Sequence, residues 1–330
     1  MWALSEAALG GVLHTLKIPL TGLFIGSAAV IFISLIGYYS GSKKEIFKSM
    51  MIVIFVKAAV SPFTPPMAYL AVFLQGVIGS ALFYSKRAYR AAAVLFGVIV
   101  LLLSAFQKIF FFTLIYGNNL WRSIDEFGSF ITEKLPVIGM VSSMSVWIIG
   151  IYAAVHLCAG LTAGLIAAGL PSRIGKTGMA PELPERPKEE TVIRQAPVSP
   201  KRKIWVTRFS GILIAGLAFS IVVFTYIFPH FSESVAVNAV IMIVRSILVM
   251  GIWFFVLSPY LTTLFKRYSG KGGNRYSGEI RSVMEDLPRY RTIVSHCWTI
   301  SKGKFLPFRL KEFIVNTFAL ILRDGEGRAG

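Results

Sequence analysis

The sequence predicts an all-α, polytopic membrane protein, and its composition, the distribution of its acidic residues and the length of its apolar runs each support this. Of the 330 residues, 55% are apolar and 15% are charged, whereas about a quarter of the residues in a soluble domain are charged. No Asp or Glu occurs between residues 46 and 124, so this stretch lacks the solvated surface that a soluble fold needs. Many apolar runs approach the roughly 20 residues that cross a bilayer. Lipid is therefore the predicted solvent for most of the chain.

The apolar runs and the polar stretches between them divide the chain into four regions. The predicted regions are a six-helix membrane module over residues 1–170, a charged and Pro-rich cytoplasmic linker over 171–203, two transmembrane helices over 204–264, and cytoplasmic amphipathic helices over 265–330. The individual spans are expected at residues 2–13, 18–39, 45–60, 66–84, 88–116, 137–170, 204–228 and 235–264. The first and third of these are short, which a bilayer accommodates by local thinning.

The charges of the connections predict how the helices are oriented. The connections around residues 43–48 and 86–90 are basic, and so is the linker, whereas the connection at 61–66 is uncharged and the one at 118–134 is slightly acidic. Lys and Arg concentrate in cytoplasmic loops. We therefore predict a multi-pass protein of the inner (cytoplasmic) membrane with both termini in the cytoplasm. The first loop, which holds Lys17, is an exception to this pattern.

The polar residues of the chain argue against several functional classes. The net charge of +18 does not indicate nucleic-acid binding, because the basic residues lie mostly in short stretches between apolar runs. Cys158 and Cys297 form neither a disulfide framework nor a metal-binding spacing, and the four histidines lie in different segments. We therefore predict no enzymatic activity, no cofactor and no metal site.

Three basic residues lie inside predicted spans without an evident acidic partner: Lys57, Lys108 and Arg245. A cation in hydrocarbon costs about 3 kcal/mol or more, so each must reach the surface, face a bundle interior or meet an anion. Lys57 is predicted one turn below the outer surface, which its side chain can reach. Lys108 is predicted about 12 Å below that surface, at about 1.5 Å per residue. Arg245 is interpreted as a packing or hydrogen-bonding residue between helices.

Around Lys108, amide, aromatic and cationic side chains predict a ligand site near the outer face. Such a combination suits a small, partly flat anion that arrives from outside. For any single aromatic residue, anchoring at the membrane interface stays the alternative. The predicted ligand-binding residues in the spans and the outer connection are Lys57, Tyr69, Gln107, Lys108, Asn118, Trp121, Arg122 and Trp147.

Small residues recur at helical spacing in two of the predicted spans. Gly160 and Gly164 form a G-x-x-x-G step, for which packing within the chain is the favoured interpretation. Ala3, Ala7 and Gly11 recur every fourth residue on the first helix. Because small residues let helix backbones approach closely, a contact with another subunit is an alternative for this face.

The C-terminal region has the periodicity of two amphipathic helices, at residues 279–298 and 306–322. We expect them to lie as a pair along the inner membrane face with a partly exposed apolar stripe. Such helices can rest on anionic lipid or dock onto a soluble partner. The basic residues expected to face that partner are Arg281, Arg289, Arg291 and Arg309.

Residues 1–170 resemble the substrate-binding S component of energy-coupling factor transporters. The resemblance rests on six helices with both ends inside, the short small-residue first helix (AALGG), the Pro-containing turn SPFTPP leading into MAYLAVFLQGVIGSALF, and the closing helix VHLCAGLTAGLIAAG. It implies a ligand near the outer face under the first loop, where His14 and Lys17 stand. It also implies that the face carrying Ala3 and Ala7 contacts the transmembrane T component. The C-terminal half is faintly similar to a shortened T component, whose helices rest on paired ATPases.

The sequence therefore predicts a membrane subunit of an uptake transporter that binds a vitamin- or cofactor-precursor-like ligand at its outer face. Its expected partners are membrane lipids, another membrane subunit, cytoplasmic ATPases and the small-molecule ligand. The alternative is a non-transporting membrane scaffold that recruits a partner complex through its C-terminal helices. A membrane-embedded enzyme is the third interpretation.

Overall fold

The computed structural model describes residues 1–6, 20–60, 66–83, 88–134, 143–175, 216, 220, 235–252, 257, 259–260, 263, 277–303 and 305–329. All regular secondary structure within these residues is helical. In chain order the helices are α1 (Trp2–Leu4), α2 (Thr21–Ser40), α3 (Lys43–Val60), α4 (Pro66–Leu82), α5 (Tyr89–Tyr116), α6 (Asn119–Lys134), α7 (Met144–Ile174), α8 (Val235–Ile252), α9 (Ser277–Ile300) and α10 (Leu306–Ala329).

Three of the described helices are long and apolar enough to cross a membrane. They are α2, α5 and α7, with 20, 28 and 31 residues. Shorter apolar stretches occupy Met67–Leu82 in α4 and Val240–Ile252 in α8. The predicted all-helical fold is thus confirmed for the described residues, and three of its helices are compatible with membrane spans. Most of the predicted first span, most of the linker and most of the predicted span at 204–228 lie outside the described residues.

Helices α2, α3, α4, α5 and α7 pack around one apolar core. Fully buried side chains in this core include Phe96 of α5, Ile33 of α2 and Met50 of α3. Trp2 and Ala3 of α1 belong to the same core, and Ala3 is 5% exposed. In this structure Ala3 therefore packs inside its own chain rather than on a free surface. Ala7 and Gly11 lie outside the described residues.

The closest helix pair is α5 and α7, and glycines make that approach possible. A Cβ placed on Gly160 would lie 2.6 Å from the carbonyl oxygen of Gly97, and one placed on Gly164 would lie 2.7 Å from the Cα of Val94. Near the other end of the pair, the Tyr89 hydroxyl donates to the carbonyl oxygen of Ala167 over 2.8 Å. The G-x-x-x-G step thus packs within the chain, as the favoured interpretation predicted.

The predicted loop at residues 118–134 is a helix instead. Helix α6 buries Gly128 and partly buries Ile124 and Ile131, while Glu126 and Glu133 are exposed. An amphipathic helix with a polar face has the charge content of a loop, so charge counting alone does not separate the two. Only the spacing of the apolar residues distinguishes an amphipathic helix from a loop.

Helices α9 and α10 form an antiparallel hairpin, but not in the predicted place. The hairpin has a small core of its own, made by Ile293, Cys297 and Leu320. Phe318 of α10 also meets Phe32, near the middle of α2, at 5.3 Å between ring centroids. The pair therefore lies against the side of the helix bundle, which corrects the expectation that it lies along the inner membrane face. Part of the apolar stripe packs on the bundle, whereas Trp298 and Leu310 stay exposed, so the stripe is partly exposed as predicted.

Candidate functional site

Lys108 lies on the surface where the two longest described helices meet, a seam that we call the α5–α7 groove. Its Nζ is 5.8 Å from the ring centroid of Phe112 on α5 and 6.0 Å from that of Tyr152 on α7. Lys108 stands eight residues before Tyr116, the last residue of α5, and Tyr152 stands eight residues after Met144, the first residue of α7. At about 1.5 Å per residue, both side chains lie about 12 Å from the same end of the bundle.

His156 extends this cluster one helical turn along α7. Its ring centroid is 4.3 Å from that of Tyr152, and its Nδ1 donates to the Tyr152 carbonyl oxygen over 2.9 Å. A carbonyl only accepts, so Nδ1 carries the proton and Nε2 of the neutral ring is an acceptor. Among the described residues Nε2 has no hydrogen-bond partner, although the His156 side chain is fully buried. Lys108, Tyr152 and His156 thus place an exposed cation, a half-buried phenol and a buried, unpartnered acceptor in one row.

The charge of Lys108 is not neutralised in the part of the chain that the structure describes. Two ion pairs described there join Lys57 to Glu6 and Arg289 to Asp324, and Lys108 belongs to neither. The Lys108 side chain is exposed, and only the faces of the two aromatic rings accompany it. Ring contacts at this distance offset only part of the cost of a cation in an apolar layer. An anion in the groove would remove that cost.

Helix α6 covers the same end of the bundle. Its Trp121 donates through Nε1 to the Thr113 hydroxyl of α5 over 2.9 Å. Its Asp125 accepts from the backbone amide and the hydroxyl of Ser145, over 2.7 and 2.9 Å. Ser143, the N-cap residue of α7, makes no capping hydrogen bond with its own side chain. Asp125 therefore caps α7 from a neighbouring helix and ties α6 across both helices of the groove.

The remaining predicted ligand residues lie at varying distances from this cluster. Gln107 adjoins Lys108, and its side-chain amide nitrogen is buried without a partner among the described residues. Asn118 and Arg122 are exposed at the covered end, and Trp147 is 63% exposed on α7. Tyr69 lies on α4. His14 and Lys17 lie outside the described residues.

Lys57 does not have the environment that the sequence predicted. Its Nζ lies 2.5 Å from Glu6 Oε2, and both side chains are buried. The expectation of a cation without an acidic partner is therefore corrected for Lys57. The predicted cytoplasmic N-terminus places Glu6 toward the inner end of the first span, whereas Lys57 is predicted near the outer surface. Their contact means that these two depths cannot both hold. Lys43 begins α3 and Lys57 lies in its last turn, which places Glu6 far from the basic start of α3 and revises the predicted position of the N-terminal segment.

Arg245 behaves as the sequence predicted, as a packing residue between helices. It is 5% exposed on α8, and its guanidinium lies against Gly117 at the end of α5. Gly117 has a φ of 72°, and a Cβ at that position would collide with the guanidinium. Glycine thus serves both the left-handed turn and the close approach of the arginine.

The basic residues of the hairpin are partly engaged within it. Arg289 pairs with Asp324 over 3.2 Å, and the guanidinium of Arg309 stacks on the Trp298 ring at 3.8 Å. Arg291 is exposed, and Arg281 lies on α9. Arg291 makes neither of the contacts found for Arg289 and Arg309.

Tyr152 and His156 are site residues that the sequence analysis missed. They are four residues apart and so share one face of α7. The distance of Tyr152 from the start of α7 matches the distance of Lys108 from the end of α5, and His156 lies one turn farther along. A comparison of depths between neighbouring antiparallel helices was the signal that could have found them.

The described residues contain no group of three or more His, Cys, Asp or Glu side chains that could hold a metal ion. In comparisons with known proteins, the chain matches no family model, and no match to a curated protein or to a solved structure was found.

Proposed function

We propose that this chain is the ligand-binding membrane subunit of an uptake transporter, and that a small organic anion binds between α5 and α7. The observation that carries the proposal is the position of Lys108, a cation about 12 Å below the end of the bundle that has no acidic partner among the described residues. Tyr152 adds a phenol beside Lys108, and His156 lies behind it with a buried, unpartnered imidazole nitrogen.

The chemistry of the groove specifies the class of ligand. The Lys108 ammonium favours a carboxylate or a phosphate, and the Phe112 and Tyr152 rings favour a flat, partly apolar body. The unpartnered Nε2 of His156 is buried behind Tyr152, and it would accept from an N–H or O–H group of a ligand that inserts between the helices. A vitamin- or cofactor-precursor-like molecule combines these three features. Binding it replaces an isolated cation in an apolar layer with a neutral pair.

The proposed setting is the cytoplasmic membrane, with α6 at the outer face. Lys43 and Lys44 at the start of α3 and Arg173 in the last turn of α7 lie at the basic end of the bundle, which the positive-inside rule assigns to the cytoplasm. Separate ATPases would drive transport, as the resemblance to S components implies. Under this proposal α6, which Asp125 ties to Ser145 of α7, controls access to the groove from outside.

The test is to identify small molecules that co-purify with the full-length protein in mild detergent by mass spectrometry. We expect an organic anion with the wild type and at least tenfold less of it with Lys108→Gln. Lys134→Gln is the matched control, because Lys134 also lies over a phenyl ring, 5.9 Å from that of Phe130, at the end of α6. Its ligand content should equal that of the wild type.

Two outcomes would count against this function. Equal ligand content in Lys108→Gln and the wild type would show that the ligand does not bind in the α5–α7 groove. A wild-type protein that carries no anion and binds none from a metabolite mixture would favour the scaffold alternative. In that case co-purified proteins, rather than small molecules, would identify the partner.

A further inference from the structure

A cavity lies at the opposite end of the bundle from α6, between the last turn of α7 and the start of α10. Its volume is about 610 Å³, within the range of sites that hold small molecules. It combines two cations, a carboxylate and three apolar side chains: Arg173, Lys311, Glu312, Phe305, Phe308 and Val315. The proposal for the Lys108 groove assigns no role to it.

The length of α7 places this cavity at the membrane surface. Helix α7 has 31 residues, so it is about 46 Å long at 1.5 Å per residue. The hydrocarbon core of a bilayer is about 30 Å thick, and about 40–45 Å with its headgroup layers. A helix of this length that crosses the membrane ends in or beyond the headgroup layer. Arg173 stands in its last turn, at the depth of lipid phosphates.

The hairpin brings positive charge to the same level. At the loop end of the hairpin, residues 300–311 contain no Asp or Glu but four Lys or Arg. Among these, the guanidinium of Arg309 is held over the Trp298 ring, and Lys302 and Lys311 are exposed. Anionic lipid surfaces attract such segments by about 1 kcal/mol per basic residue.

The apolar side chains of the cavity distinguish a lipid from a soluble anion. Phe305 is 76% exposed and Phe308 is 65% exposed, next to the basic residues. A soluble phosphate would make no use of two exposed phenyl rings, whereas an acyl chain would cover them. Large exposed apolar side chains beside cations are typical of segments that bind at the membrane interface.

From these observations we infer that the cavity between α7 and α10 binds an anionic phospholipid. The phosphate lies between Arg173 and Lys311, and an acyl chain runs along Phe305 and Phe308. The lipid then joins the loop end of the α9–α10 hairpin to the cytoplasmic end of α7. This inference does not depend on the ligand proposed for Lys108.

The test measures lipid retention by the full-length protein. Delipidated protein in detergent is incubated with phosphatidylglycerol, with phosphatidylcholine of the same chains, or with inorganic phosphate, and bound molecules are counted by native mass spectrometry. We expect phosphatidylglycerol to be retained at least tenfold more than phosphatidylcholine. Inorganic phosphate at millimolar concentration should not displace it. Equal retention of both lipids by the wild type, or displacement by phosphate alone, would overturn the inference without any variant.

Variants then locate the site. Arg173→Gln with Lys311→Gln should reduce phosphatidylglycerol retention at least tenfold, whereas Lys44→Gln with Lys134→Gln, which removes two exposed cations outside the cavity, should leave it unchanged. Phe305→Ser with Phe308→Ser should weaken retention of long-chain but not of short-chain phosphatidylglycerol. Retention that survives both cavity variants would place the lipid elsewhere and contradict the inference.

Discussion

Lys57 and Glu6 form a buried ion pair that joins positions 51 residues apart in the chain, with 2.5 Å between Nζ and Oε2. Lys57 is 6% exposed and Glu6 is 4% exposed. Each charge is therefore shielded from solvent by the other and by the apolar core around them. The pair fixes α1 against α3.

Removing one member of this pair should destabilise the protein strongly. Lys57→Met leaves Glu6 buried without its cation, and loss of one partner of a buried pair typically costs about 3–5 kcal/mol. Glu6→Gln with Lys57→Met removes both charges and should recover most of that loss. Denaturation in mixed micelles gives the free energies of unfolding. A double variant no more stable than Lys57→Met would contradict the pairing.

The approach of α5 and α7 gives a second prediction. Gly160→Ala should lower the free energy of unfolding by about 1–3 kcal/mol, because the new methyl meets the rigid backbone of Gly97 rather than a movable side chain. Gly150→Ala on the same helix is the control, since a Cβ there meets nothing within 4 Å. The stability of Gly150→Ala should equal or exceed that of the wild type. An unchanged free energy of unfolding in Gly160→Ala would mean that α5 and α7 lie farther apart than this structure shows.

The capping of α7 by Asp125 can be tested in the same way. Asp125→Ala removes the acceptor for the Ser145 amide and hydroxyl and should cost about 0.5–2 kcal/mol, the usual range for loss of a helix cap. Hydrogen exchange should accelerate selectively in the first turn of α7. Glu126→Ala, one residue on and exposed, should change neither quantity. Equal effects of the two substitutions would indicate a charge effect instead of a cap.

The two cysteines should differ in reactivity. Burial raises the pKa of the Cys297 thiol, so less of the reactive thiolate forms at neutral pH, and the side chain is enclosed by Ile293 and Leu320. In a Cys158→Ser background, maleimide labelling of Cys297 should be slow in the native protein and fast once denaturant opens the hairpin. Its rate should rise with pH up to the raised pKa. Rapid labelling under native conditions would show that the hairpin core is open.

The orientation of the bundle in the membrane can be tested with cysteines that replace one serine at each end of the bundle. Ser123 on α6 and Ser172 on α7 are both exposed. In a variant without native cysteines, Ser123→Cys should react with an impermeant maleimide in intact cells, and Ser172→Cys only after permeabilisation. The reverse pattern would invert the orientation and move the Lys108 groove to the cytoplasmic side.

The sequence by itself determined the class of this protein and the nature of its long helices. The absence of acidic residues over 46–124 and the apolar runs at α2, α5 and α7 are local properties, and hydrophobicity over 20 residues is enough to predict a span. The G-x-x-x-G step at Gly160 likewise predicted close packing, because it lies on one face of one helix.

Only the tertiary structure decided which residues meet. Glu6 pairs with Lys57, Lys108 joins Tyr152 and His156, and the C-terminal hairpin packs on the side of the bundle through Phe318. Each of these contacts depends on the order and rotation of helices that are distant in the chain. Periodicity defines the faces of a helix but not the neighbour of each face, since many arrangements bury the same apolar area. Polar contacts and the close approach of helices at glycines select one of these arrangements. They can be identified only once the helices are packed together.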